Sequence, residues 1–191
     1  MFGSAIGKAV SAGTALFLFA LLLTVQSCGS GGDTDDELAE EDSSNSLEFS
    51  VDEELLGERI VLPELSIALR APSGWSAVDE PPEQAAPVEV VRLYVGSGPS
   101  FLLIGELGGD SSAEAAAAML ASDESDERTT FSHNGIRFHQ VRRVTSESVT
   151  FSLLFERGQG VVALLQYVVP VADIQYRARL IESSIGSIRS E

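Results

Sequence analysis

Read from the N-terminus, the apolar positions fall into three regimes. Residues 15–23 are an unbroken apolar run, residues 29–57 are sparse in apolar side chains, and from about 58 onward apolar residues recur with the periods of regular secondary structure. Short runs at 60–62 and 65–71 predict strands, closed by the turn Pro72-Ser-Gly-Trp75, in which proline presets the bend and glycine completes it. Val88–Val95 and Phe101–Leu107 predict a hairpin broken by Gly96-Ser-Gly-Pro99. Ser111-Ser-Ala-Glu114 has capping-box spacing and opens an alanine-rich helix through Met119 and Leu120, which the acidic stretch 123–127 ends. Three further strands are expected. They are Ile136–Val144 after the Asn134-Gly135 turn, 149–155 with Phe151, Leu153 and Phe155 on one face, and 161–169, apolar throughout like a strand covered on both sides. Beyond Pro170, the residues Val171, Ile174, Ala178, Ile181, Ile185 and Ile188 recur at gaps of three and four, the stripe of a helix that packs on the sheet. The order predicts one α+β domain over 58–191, a mostly antiparallel sheet packed by a short helix and a long C-terminal helix.

Several of these segments resemble a known fold. The strand ending in Ala71-Pro-Ser-Gly-Trp75, the Asn134-Gly135 hairpin, the late apolar strand ending at Pro170 and the closing Ser183-Ser-Ile-Gly-Ser-Ile188 are similar to the PsbP-like α/β/α sandwich. That superfamily includes photosystem accessory lipoproteins, a nuclear-import factor and DcrB-type envelope lipoproteins. The resemblance implies a fold rather than a chemistry.

The first regime reads as an export signal. A weakly positive start at Lys8, the apolar run and then small and polar residues come in the order a secretory signal needs. The tetrad Val25, Gln26, Ser27 and Cys28 resembles the lipobox of bacterial lipoproteins. That resemblance implies cleavage between Ser27 and Cys28, a diacylglyceryl group on the Cys28 sulfur and an N-acyl chain on its amine. Two or more acyl chains hold a protein stably on a membrane where one does not. The competing reading is a signal anchor spanning 9–25 with an incidental cysteine. Against it stand the position of this single cysteine in the chain and the flexible Gly29-Ser-Gly-Gly32 next to it. Gly29, where a retained lipoprotein commonly has aspartate, points by the same resemblance to the outer membrane in an organism that has one.

Composition sharpens this picture. From Asp33 to Glu54 the chain holds eleven acidic residues and no basic one, so residues 28–57 are expected to be a disordered acidic linker. Asp33-Thr-Asp35-Asp-Glu37 begins like a calcium loop, but Leu38 and Ser44 occupy the positions where glycine and the last acidic ligand are required. Once cleaved at Cys28, the chain carries 29 acidic residues against 11 arginines, a net charge of −18, which excludes replacement of the counterions of a nucleic acid. No lysine occurs after position 8. Codon bias in a GC-rich genome and adaptation to high salt both account for that.

Candidate chemistry is sparse. With Cys28 acylated, the folded part has no thiol for catalysis, disulfides or metal. His133 is expected to be an exposed turn residue and His139 to lie on a polar strand face; Trp75 and Tyr94 read as core. Arg137, Arg142 and Arg143 form a local basic cluster, a possible docking patch for an acidic partner or a solvated face balanced by neighbouring carboxylates. No phosphate-cradling loop, nucleophile elbow or paired-histidine motif occurs. The expectation is a non-enzymatic accessory or binding module of an envelope complex, without cofactor or metal; the alternative is a small-molecule or cation carrier using a cleft in the sandwich.

Overall fold

The computed structural model describes residues 47–79, 88–109, 111–157 and 160–191; the signal, the lipobox and the linker up to residue 46 lie outside them. Strand β1 is Leu56–Leu62, β2 Ile67–Pro72, β3 Ser76–Ala77, β4 Val88–Val95 and β5 Phe101–Leu107. Helix α1, Ala113–Leu120, precedes β6 Glu127–His133, β7 Ile136–Val144, β8 Ser148–Arg157 and β9 Val161–Pro170, after which come helix α2 Ile174–Gly186 and β10 Arg189–Ser190.

The apolar composition of β9 is explained by its place. It lies in the middle of a seven-stranded sheet of order β3-β4-β5-β9-β8-β7-β6, and every pairing in that sheet is antiparallel. Successive side chains of a strand point to opposite faces. Ala163, Leu165, Tyr167 and Val169 therefore enter the larger core, while Val162 and Leu164 enter the smaller one under α1. The larger core is closed by α2, through Ile181 and Ile185, by Ile188 just beyond it, and by a second sheet of order β1-β2-β10 that contributes Leu62, Ile67, Leu69 and Ala71. The result is an α+β sandwich of helix, sheet, and a layer of helix with small sheet.

Local chemistry places the elements. Ser112 caps α1 by accepting from the Ala115 amide at 3.1 Å. Asn134 and Gly135 both have positive φ, 51° and 77°, which suits the two-residue turn joining β6 to β7. The stripe expected from 171 to 188 is real but not one helix: Val171–Asp173 is a 3-10 turn, and α2 ends at Gly186. Two differences matter more. Four strands lie between α1 and α2 instead of three, because β6 carries the polar run Arg128-Thr-Thr130 on the sheet's edge and shows no clean alternation. Residues before 58 also belong to the packed fold. Leu47 and Phe49 pack on the larger core, and Glu53–Leu55 forms a 3-10 turn capped by Asp52.

Candidate functional site

A cleft of about 460 Å³ opens where the start of β7 and the end of β8 meet the N-terminus of α1, the β1–β2 connection and Ser190. That volume falls within the range typical of small-molecule sites, about 300–1,000 Å³. Leu65, Ile67, Ile136 and Phe155 supply apolar walls; Arg137, Arg157, Glu114, Glu156 and His139 supply charge and an imidazole. Much of this polarity is already engaged. Glu156 accepts from the Ala113 amide at 3.3 Å, placing a carboxylate on the first turn of α1. Arg157 pairs with Glu106 at 3.0 Å, and His139 Nδ1 lies 3.3 Å from Thr130 Oγ1. The arrangement can hold a polar molecule carrying both charges.

The three arginines of the sequence cluster do not make one patch. Val141 faces α1 and Phe138 faces the opposite core, so alternation along β7 puts Arg137 and Arg143 on one face and Arg142 on the other. Arg142 pairs across the hairpin with Glu127 at 2.7 Å. Arg143 binds the Asp126 carboxylate through Nε and Nη2 and donates to the Leu120 carbonyl at 2.6 Å, satisfying the C-terminal end of α1. Asp126 is shielded, and the hydrogen bond from Arg143 holds its carboxyl below the usual aspartate range. Arg137 alone of the three stands at the cleft.

A second site emerges from the segment read as linker. Leu47, Phe49 and Val51 are half-buried while Glu48 and Ser50 are exposed, the alternation of an extended strap. The Leu47 amide donates to the Ser132 carbonyl at 3.2 Å, and the Asp52 amide donates to Ser183 Oγ at 3.1 Å. His133, expected in solvent, lies under this strap. Its Nδ1 is 3.3 Å from the Leu47 carbonyl and its ring meets Phe49 edge-on at 4.9 Å. Its Nε2 lies 3.0 Å from the Gly186 carbonyl and 2.6 Å from Asn134 Nδ2, so the Nδ1–H tautomer donates to Leu47 and accepts from Asn134 while the Nε2–H tautomer donates to Gly186; Asn134 also donates to the Ile188 carbonyl. Gly186 makes the approach possible, since a Cβ there would stand 2.7 Å from Phe49 Cβ and 2.8 Å from Val51 Cγ2.

Three serines lock α2 to its neighbours beside this groove, Ser183 to the strap and the other two to β2. Arg70 donates its amide to Ser187 Oγ at 2.8 Å, and its carbonyl accepts from Ser184 Oγ at 2.7 Å. The buried Tyr167 hydroxyl shares Ser184 Oγ at 2.9 Å, and burial raises its pKa well above the usual phenol value. In the sequence, Ser183-Ser-Ile-Gly-Ser-Ile188 carries a resemblance of fold alone, yet small polar residues set into an otherwise apolar helix face are also the signal of a close approach. On the far side of α2, Arg177 clamps the β4–β5 loop through Ser97 and Ser100, each at 2.8 Å. Trp75 lies against Gly96 of the same loop and is partly buried against the larger core, as is Tyr94.

No family model and no curated protein matches the chain. Solved structures do. The cyanobacterial PsbP (CyanoP) of Synechocystis aligns with a TM-score of 0.52 at 11% identity, covering 70% of this chain and 92% of that one. The Saccharomyces cerevisiae Ran-binding protein Mog1p aligns at 0.45 and 12% identity over 71% of this chain and 96% of its own. A Bacteroides thetaiotaomicron protein aligns at 0.45 and 16% over 71% and 49%. The alignment with CyanoP establishes a likeness of fold: the domain is an α+β sandwich of PsbP-like architecture.

Proposed function

We propose that this chain is an accessory module of an envelope protein complex, held on a membrane by acyl chains on Cys28 and working by binding rather than by catalysis. The observation that carries the reading is that the chain enters the domain through the strap. A lipobox-like Val25-Gln-Ser-Cys28 leads into a stretch with seven acids and no base over 28–46, and the next residues lie against α2 and β6. The PsbP-like resemblance, whose photosystem members are accessory lipoproteins, supports a module of this kind. Both histidines are tied to structural partners. An acidic segment is repelled by anionic head groups, which would hold the domain away from the surface to meet a partner. A carrier role for the cleft is the second reading, favoured by its size and its balanced charges.

The test is in-cell crosslinking of the tagged chain and identification of the products by mass spectrometry, with Cys28→Ala alongside. A discrete envelope protein recovered with the native chain and lost with Cys28→Ala is the expected result. Recovery of bulk lipoproteins alone would overturn the accessory reading and leave the cleft as the functional site.

A further inference from the structure

We infer that the strap occupies a strand-accepting groove, and that an extended segment of a partner polypeptide, with apolar residues at alternate positions and then carboxylates, takes its place. The inference rests on the binding-module reading and names the partner's chemistry.

The groove recognises its occupant mainly by backbone. The Leu47 amide, the Leu47 carbonyl and the Asp52 amide are bound by Ser132, His133 and Ser183, which would hold any extended chain in the same way. Side-chain selection is coarse. Phe49 and Val51 lie over the bare backbone of Gly186, and Phe49 also meets Phe131 at 5.5 Å between ring centroids. Leu47, Phe49 and Val51 are all only half-buried, so the intramolecular contact is shallow and open to competition.

Charge selects the residues beyond the apolar positions. Arg179 lies 3.6 Å from Asp52, and Arg70 pairs with Glu53. In residues 47–191, where 22 acids face 11 arginines, two guanidiniums at the end of one groove favour an acidic segment over a basic one. Main-chain pairing at the end of the edge strand β6 supplies the docking mode.

The probe is a fluorescein-labelled peptide of residues 46–54 added to the full chain in detergent micelles and monitored by anisotropy, with a scrambled peptide as control. The native chain should bind weakly because its own strap fills the groove. Phe49→Ser weakens the strap and leaves the groove intact, so affinity should rise at least tenfold. Leu47→Ser, at the strap's outer end, serves the same purpose if Phe49→Ser does not fold. Adding Gly186→Ala, which favours the helix but fills the groove floor, should remove that gain. Absence of binding to a strap-weakened chain that still unfolds cooperatively would overturn the inference. So would binding equal to that of the scrambled peptide or unchanged by Gly186→Ala. Neither result bears on whether Cys28 directs the chain to its complex, which the crosslinking decides.

Discussion

Asp126 shows how a single residue determines more than its exposure suggests. It accepts three hydrogen bonds from Arg143, at 3.0, 3.2 and 2.7 Å, and the same guanidinium satisfies the carbonyl of Leu120. The pair therefore fixes both the end of α1 and the start of β6. Because Arg143 holds the folded carboxyl below its unfolded pKa, of about 3.9 for an aspartate, the unfolded state binds the proton more readily. Stability from this contact is complete above that value and is lost as pH falls through the lower folded one. Asp126→Asn is expected to lower stability at neutral pH and to flatten the acid limb of the unfolding profile. Chemical denaturation from pH 7 to pH 2 checks it: parallel native and variant curves below pH 4 would mean that the pair carries no linkage.

At the scale of elements, β5 depends on a residue without a side chain. Gly105 pairs with Val90 at the point where the β4 register shifts, and a Cβ there would lie 2.6 Å from the Glu89 carbonyl and 2.9 Å from Val88. Backbone cannot move aside as a side chain does, so Gly105→Ala should destabilise by about 1–3 kcal/mol, the range of overpacked sites, read as a lower denaturant midpoint. An unchanged midpoint would show that β4 shifts freely. The sequence displayed the central elements because burial on one or both faces writes a period into them: β8, β9 and the α2 stripe were legible for that reason. The peripheral elements were not. β6 shows solvent most of its residues, and β3 and β10 are two residues each. The strap had its period, Leu47-Glu-Phe49-Ser-Val51, but the surrounding acids dominated the composition and made it read as linker. His133 was misplaced with it, since its partners Leu47 and Gly186 are 86 and 53 residues away. Of the two readings of the arginine cluster, strand alternation divides the patch, while Arg142 and Arg143 are balanced by the neighbouring carboxylates of Glu127 and Asp126.

At the scale of the molecule, acidity sets the balance of stability. Residues 47–191 carry a net charge of −11, and at least seven of the eleven arginines are already paired, among them Arg59 with Glu191, Arg157 with Glu106 and Arg177 with Asp173. The surplus carboxylates therefore repel one another across the surface, and the fold is destabilised by its own field. Added salt opposes two terms of different range. The exposed ion pairs are short-range contacts worth little each, whereas the repulsion acts over distances comparable to the Debye length, about 8 Å at 0.15 M and about 3 Å at 1 M. Repulsion should lose more, so raising NaCl from about 0.05 to about 0.5 M is expected to lift the thermal midpoint by about 2–4 °C, which is about 1 kcal/mol for a domain of this size. A fall in the midpoint would mean that the ion pairs outweigh the surplus charge. The course beyond that salt concentration separates the two explanations of the lysine-free composition. Screening is nearly complete by then, so a plateau fits arginine chosen by codon bias, while a rise that continues past about 1 M, where little repulsion remains to be screened, fits a carboxylate surface adapted to hold water in brine.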